Sequence, residues 1–368
     1  MTVTRPVGPV DRRRRRRTVA ATVAGNFVEY FDWLAFGLYA PLFAGQFFPA
    51  HDPVSSLLGA FAVFAAGMLF RPLGGMLLGR FADRRGRRAG LLLSIILMGG
   101  GSLVIALSPT YAQIGLAAPV LLLAARCAQG LSAGGEWAAA VAYLMETAPK
   151  HRRCLYGGLF SMSAAAGALV ASVLGVVASA GLTPAAMHAW GWRVPFAFGG
   201  LLCAGLIVAR RQLTETKAFE VASGSDAAAV ARPGFRRLFA EHWRAVLAGA
   251  VFVGGTTASA TTWTTVVPSM AQSDLGASPG LMFSVVVVVA GSVMVLQVPI
   301  ALLADRIGVQ PTLAFCCLGF AIAGPVAYLT MSPTFGSLVA SYGSGILLVG
   351  TVTAIMPTVM AFLFPTTL

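Results

Sequence analysis

A basic ten-residue stretch, Gly79-Arg80-Phe81-Ala82-Asp83-Arg84-Arg85-Gly86-Arg87-Arg88, stands between two long apolar runs, and its core returns farther along the chain. Asp83-Arg84-Arg85-Gly86 is matched 222 residues later by Asp305-Arg306-Ile307-Gly308. A repeat of that period among apolar runs constrains the fold to two homologous bundles of helices set side by side in a membrane.

Composition agrees with a bilayer as the solvent. Only 11% of the 368 residues are charged and 57% are hydrophobic, against roughly 25% charged in a soluble domain. Runs of about 20 apolar residues predict ten spans, near 19–47, 56–78, 89–107, 112–140, 155–180, 192–209, 245–271, 280–303, 311–330 and 335–363. These group into a basic tail over 1–17, a six-helix bundle over 18–212, a loop over 213–243 and a four-helix bundle over 244–368. The expected class is an all-α polytopic membrane protein.

The formal charge of +13 is placed by topology. Arg12 to Arg17 precede the first span, Arg80 to Arg88 follow the second, and Lys150, Arg152 and Arg153 follow the fourth. Arg210, Arg211, Lys217, Arg232, Arg236, Arg237 and Arg244 lie between the sixth and seventh, and Arg306 follows the eighth. The alternate loops hold only Arg193. Repeated along a chain, this is the positive-inside pattern, and it sets both termini in the cytoplasm of a cell-membrane protein. The arginine run reads as an orientation signal near anionic lipid, not as a nucleic-acid surface.

Other classes lose ground in turn. The first apolar run is too long for a cleavable signal and serves as a span. Cys127, Cys154, Cys203, Cys316 and Cys317 form no C-x-x-C pair, and the four histidines are scattered over loops, so neither metal nor cofactor is expected. An enzyme would need a nucleophile and base, or a metal cluster, at depth. Lys150 follows Pro149 and Lys217 follows Thr216, which leaves no phosphate-binding Gly-Lys loop. Uphill work would then draw on an ion gradient.

Five charges stand inside the first bundle: Glu29, Asp32, Arg71, Arg126 and Glu136. Each costs about 2.5–3.5 kcal/mol at the centre of a spanning helix. Asn26, Glu29 and Asp32 recur at i, i+3 and i+6, and Arg126, Gln129, Ser132 and Glu136 form a second stripe, so the two should face each other or a shared aqueous cavity. Three acids against two arginines leave one carboxyl without a full partner, able to exchange a proton, while the guanidiniums suit a carboxylate ligand. Structural ion pairs fastening helices remain the alternative. Gly75, Gly79, Gly167, Ala171 and Gly175 predict close helix packing. The run Thr261 to Thr265 either meets a substrate or back-bonds within its own helix.

With these residues in hand, the chain resembles the major facilitator superfamily, and within it the metabolite:proton symporter family. The likeness lies in Gly25-Asn26-Phe27-Val28-Glu29-Tyr30-Phe31-Asp32, Arg71-Pro72-Leu73-Gly74-Gly75, the Gly79–Arg88 loop, Ala128-Gln129-Gly130-Leu131-Ser132-Ala133-Gly134-Gly135-Glu136 and Trp190-Gly191-Trp192-Arg193-Val194-Pro195-Phe196. Val63 to Gly67, Gly101 to Ala106 and Arg210 to Leu213 resemble the alpha-ketoglutarate permease branch most. The resemblance implies a monomeric proton symporter of a small organic acid, such as alpha-ketoglutarate or another dicarboxylate, working by alternating access. Shikimate, citrate and proline or betaine are the alternative substrates, and a sensor or a non-transporting remnant is the alternative class. It also implies proton-coupling roles for Asp32 and for Arg126 with Gln129 and Gly130. Gly79, Asp83, Arg84, Gly86 and Arg87, echoed by Asp305 and Arg306, are implied to form a cytoplasmic gate. Members of the family have twelve helices, so a chain with ten is expected to lack the last two and part of the gate's latch.

Overall fold

A computed structural model of the chain describes residues 9–211 and 235–363. The spanning elements are α1 (Pro9–Phe47), α2 (Pro53–Leu69), α3 (Arg71–Arg85), α4 (Arg87–Leu107), α5 (Ala117–Thr147), α6 (Arg153–Gly181), α7 (Val194–Arg211), α8 (Phe235–Thr261), α9 (Val267–Ser273), α10 (Pro279–Ile307), α11 (Val309–Thr330) and α12 (Phe335–Leu363). Among the described residues, eight helical stretches are long and apolar enough to cross a bilayer, with α2–α3 and α8–α9 each counted as one. The charged helices α1 and α5 fall outside that group, although at 39 and 31 residues each has the length to cross. Leu69, Val251, Val295, Phe315, Leu329 and Phe362 point outward and exposed, as side chains that meet lipid must.

Local sequence explains the breaks. Pro72 has no N–H to continue the ladder, so the second span bends at Phe70, whose own N–H is shared between the Ala66 and Gly67 carbonyls at 3.3 Å each. Asp52 starts α2 by accepting from Ser55 N at 2.8 Å and Ser55 Oγ at 2.6 Å. Those bonds hold its carboxyl below the usual carboxylate range. Both halves of the repeat turn at a glycine: Gly86 has φ 100 and Gly308 φ 101, and each N–H caps the carbonyl four residues back at 3.0 Å. A side chain is strained in that conformation, which is why the repeated motif carries glycine there.

Three boundaries differ from expectation. The helix of α1 begins at Pro9, within the segment read as a tail, because arginine is a good helix former and nothing breaks the run. α8 begins at Phe235, inside the segment read as a loop, and reaches its span through a kink at His242. The fourth span starts at Ala117, after a short helix at Tyr111–Ile114 that ends on Gly115 at φ 60. Residues 1–8, 212–234 and 364–368 lie outside the described part.

The two bundles meet along α6 and α10. Gly175 lies against the Phe283 ring and Gly158 against Ala301, so small residues admit close approach along the seam. At the end bearing the basic loops, the Asp305 carboxylate of α10 accepts from Cys154 N at 2.9 Å and Leu155 N at 3.0 Å, capping the first turn of α6. This satisfies donors that a helix start leaves orphaned and puts an anion at the positive end of its dipole. At the opposite end, Ser269 Oγ donates to the Gly37 carbonyl at 3.2 Å, closing α9 on α1. The two bundles thus touch through polar bonds at both ends, α10 to α6 at one and α9 to α1 at the other. Asp305→Ala should therefore cost about 1–2 kcal/mol, read as a lower thermal unfolding temperature in detergent; an unchanged temperature would remove the cap from the account.

Candidate functional site

The predicted polar stripes of α1 and α5 meet. Asp32, 1% exposed, and Arg126, 5% exposed, pair at 3.3 Å between Oδ2 and Nη1. The same Nη1 donates to Gln129 Oε1 at 2.8 Å; Gln129 Nε2 donates to Ser102 Oγ at 3.0 Å; Ser102 Oγ donates to Asp32 Oδ1 at 2.5 Å. The four side chains form a closed ring. Its sequence basis is the R-x-x-Q spacing, which sets Arg126 and Gln129 on one helical face, and Ser102 on α4, which reaches both stripes. Aromatic rings complete the enclosure: the Arg126 guanidinium lies 3.8 Å from the Phe36 centroid and 5.5 Å from that of Phe64. Such stacking suits a weakly hydrated planar cation.

Glu29 makes a second pair. Its Oε1 accepts from Arg71 Nη2 at 2.9 Å, and the Arg71 guanidinium stacks 3.9 Å above Trp33. The bend at Phe70–Pro72 begins a new helix at Arg71, which faces α1 there. Glu29, Asp32, Arg71, Arg126 and Gln129 together line one cavity of about 30 Å³, with Trp33, Phe64 and Met98 as its apolar wall. A cavity of that size holds one or two waters.

Glu136 stands apart from the Asp32–Arg126 pair with which it was grouped. It accepts from Ser94 Oγ at 3.4 Å and shares a smaller cavity of about 10 Å³ with Glu29, Gly25 and Ser132. Asn26 also leaves the expected group, donating across to α6 at Ser163 Oγ, 2.6 Å. The walls around these groups are glycine-built. A Cβ at Gly130 would strike the Gly67 carbonyl, one at Gly134 the Arg71 carbonyl, and one at Gly74 the Leu131 backbone. Gly75 joins this seam, where an added Cβ would lie 3.3 Å from the Gly134 carbonyl, and Gly167 packs against α1 at Phe27 and Phe31. Gly79 does not: nothing lies within 4 Å of its Cβ direction, so it is no packing glycine here.

Of the gate residues, Gly79 and Arg84 lie on α3 and Asp305 and Arg306 on α10, leading into the matching corners at Gly86 and Gly308. The side chains of Asp83 and Arg87 lie outside the described residues. The threonine run forms a π turn, Thr262–Val266, in which Thr262 and Thr264 bond the carbonyls of Ala258 at 2.9 Å and Ala260 at 2.6 Å. These two back-bond. Thr265 instead packs, buried, against Gly37. Ser94, Ser102, Trp33, Phe36 and Phe64 were missed by sequence reasoning. Ser102 alone had a signal, as the polar end of a Gly99-Gly100-Gly101 run otherwise made for packing.

Repeated bundles around a buried, ion-paired chamber define a secondary membrane transporter rather than an enzyme. The family model described as Major Facilitator Superfamily matches residues 22–368. The chain belongs to that superfamily, among its metabolite:proton symporters. It is 37% identical over 322 residues to the citrate-proton symporter of Klebsiella pneumoniae, covering 86% of this chain and 71% of that one. It is 34% identical over 361 residues to the alpha-ketoglutarate permease of Escherichia coli strain K12, covering 96% and 81%. These values do not single out one branch. In fold it is similar to a partially occluded inward-open structure of the E. coli xylose transporter XylE, with TM-score 0.68, 15% identity and coverage of 94% and 89%.

Proposed function

We propose that this chain carries a small organic carboxylate together with protons, by alternating access, with Asp32, Glu29 and Glu136 as proton acceptors and Arg71 and Arg126 as the cations that meet the substrate. The observation that carries the reading is the buried Asp32–Arg126–Gln129–Ser102 ring, open to a cavity that also receives the Glu29–Arg71 pair. A proton on Asp32 removes the charge that holds Arg126 Nη1. The guanidinium is then left with an uncompensated charge in a low-dielectric site, where an anionic ligand lowers the energy and a neutral one does not. Proton uptake thus favours carboxylate binding, and release of both resets the pair. Citrate and 2-oxoglutarate, carried by the two relatives named above, both satisfy this chemistry; shikimate and glycine betaine each bring a single carboxylate.

The basic end faces the cytoplasm in this reading, with both termini there, because the loops between spans carry their arginines at that end. The protein works in the cell membrane as a monomer, with lipid as its other partner. The test is uptake of labelled citrate, 2-oxoglutarate, shikimate and glycine betaine into proteoliposomes with an acid-outside gradient. At least one should accumulate, and a protonophore should abolish it. Accumulation that ignores the protonophore, or no accumulation of any of the four, would refute the reading.

A further inference from the structure

We propose that the Nε–Nη2 edge of Arg126 is the seat of the substrate carboxylate, while Nη1 of the same guanidinium stays with Asp32 and Gln129. This deepens the carrier reading above and rests on it.

Arg126 is 5% exposed, and its donors are unequally used. Nη1 donates to both Asp32 Oδ2 and Gln129 Oε1. Nε and Nη2 are buried and have no hydrogen-bond partner. Leaving donors of a charged group buried and unpaired costs free energy on the order of 1–3 kcal/mol or more, so a native chain retains such an edge only against a return elsewhere in its working cycle. The two idle donors are not a random pair. In a guanidinium the Nη2–H lies on the same side as the Nε–H, and the two bonds run parallel at the spacing of carboxylate oxygens. Arg126 is among the residues that line the 30 Å³ cavity, and a ligand group reaching this edge would come from that side. The Phe36 and Phe64 rings fix the plane of the guanidinium, pre-orienting the edge. Arg71 differs: its side chain is 28% exposed, and Nη2 is committed to Glu29.

One guanidinium would then read proton and substrate on opposite edges. The cavity is too small for a whole dicarboxylate, so the carboxylate enters this edge when the seam between α2–α3 and α5 loosens and the remainder of the ligand lies along the apolar wall.

The experiment uses the full chain in nanodiscs with 15N-labelled arginine, and follows the Arg126 Nε–H resonance, identified by its loss in Arg126→Lys. Citrate, 2-oxoglutarate, shikimate and glycine betaine are titrated separately, with chloride as control. The expected result is a downfield shift of that resonance with every carboxylate that is taken up and none with chloride. Arg126→Lys, which keeps a cation beside Asp32 but has no parallel edge, should lose at least about tenfold in affinity. If a carboxylate is taken up but leaves the Arg126 Nε–H where it was, the proposal is overturned and the carrier reading stands. If none of the four binds or is taken up, both fall. Should the lysine variant fail to fold, loss of the signal in Arg126→Gln assigns the resonance, and the wild-type titration still decides the matter.

Discussion

Asp32→Asn protein in proteoliposomes should lose acid-driven accumulation down to the level of protonophore-treated vesicles, while exchange of labelled for unlabelled substrate persists. Asparagine preserves the acceptor for Ser102 Oγ, now at 2.5 Å from the carboxylate, and fits the same buried space. What it removes is the ability to gain and lose charge 3.3 Å from Arg126. A carrier locked in the proton-loaded arrangement can still bind and release substrate on either side, but no gradient is coupled to the cycle. Loss of exchange as well would mean that the ring is scaffolding, and intact pH-driven accumulation would take Asp32 out of the mechanism.

The second large effect concerns glycines. Gly134→Ala should destabilise the protein by an amount at or above the roughly 1–3 kcal/mol of a core overpacking change, and it should lower the yield of folded protein in detergent. The obstacle is the Arg71 carbonyl and its own backbone, so no side-chain rotation relieves the clash and α3 has to move away from α5. Gly79→Ala, with nothing within 4 Å, should instead be neutral or stabilising by up to about 1 kcal/mol through helix propensity. The opposite signs are the test. Equal unfolding temperatures for the two variants would show that the α3–α5 seam tolerates a methyl group and that the close approach does not hold the cavity wall.

These outcomes also mark how far the sequence could be read. Apolar runs and alternating basic loops reveal spans because the bilayer imposes one physical rule along the whole chain, and the buried charges announce themselves by their cost. Spacing on one helix was legible too: Arg126 and Gln129 had to share a face. Which acid takes which arginine was not. Glu29 pairs with Arg71 because the break before Pro72 starts a new helix there, and that break angle depends on packing rather than on a local signal. Glu136 shares a helical stripe with Arg126 and was expected to join Asp32 at one coupling site, yet it lies one cavity away, on the Glu29 side. Gly75 and Gly79 looked equivalent as small residues four apart, and only the position of α5 tells them apart. The π turn at Thr262–Val266 was invisible for a related reason, since one added residue in a helical ladder leaves composition and periodicity almost unchanged.

The paired corners at Gly86 and Gly308 have a mechanical consequence. Each joins two spans through a single residue at φ near 100, with the preceding helix bonded right up to the corner. A one-residue joint, with helix hydrogen-bonded up to it on both sides, leaves no slack in the chain and behaves as a bracket rather than a loose link. The hairpins α3–α4 and α10–α11 then travel as stiff pieces, and their internal angles are poor candidates for bending. Displacement is left to the sliding contacts between pieces: α6 over α10, and α2–α3 over α5. Both seams carry glycine: Gly74, Gly130 and Gly134 let backbones touch between α2–α3 and α5, while Gly158 and Gly175 on α6 receive Ala301 and the Phe283 ring of α10. In the cycle proposed above, such a frame would pass a change of charge at Asp32 on as movement of whole spans rather than absorb it in a turn.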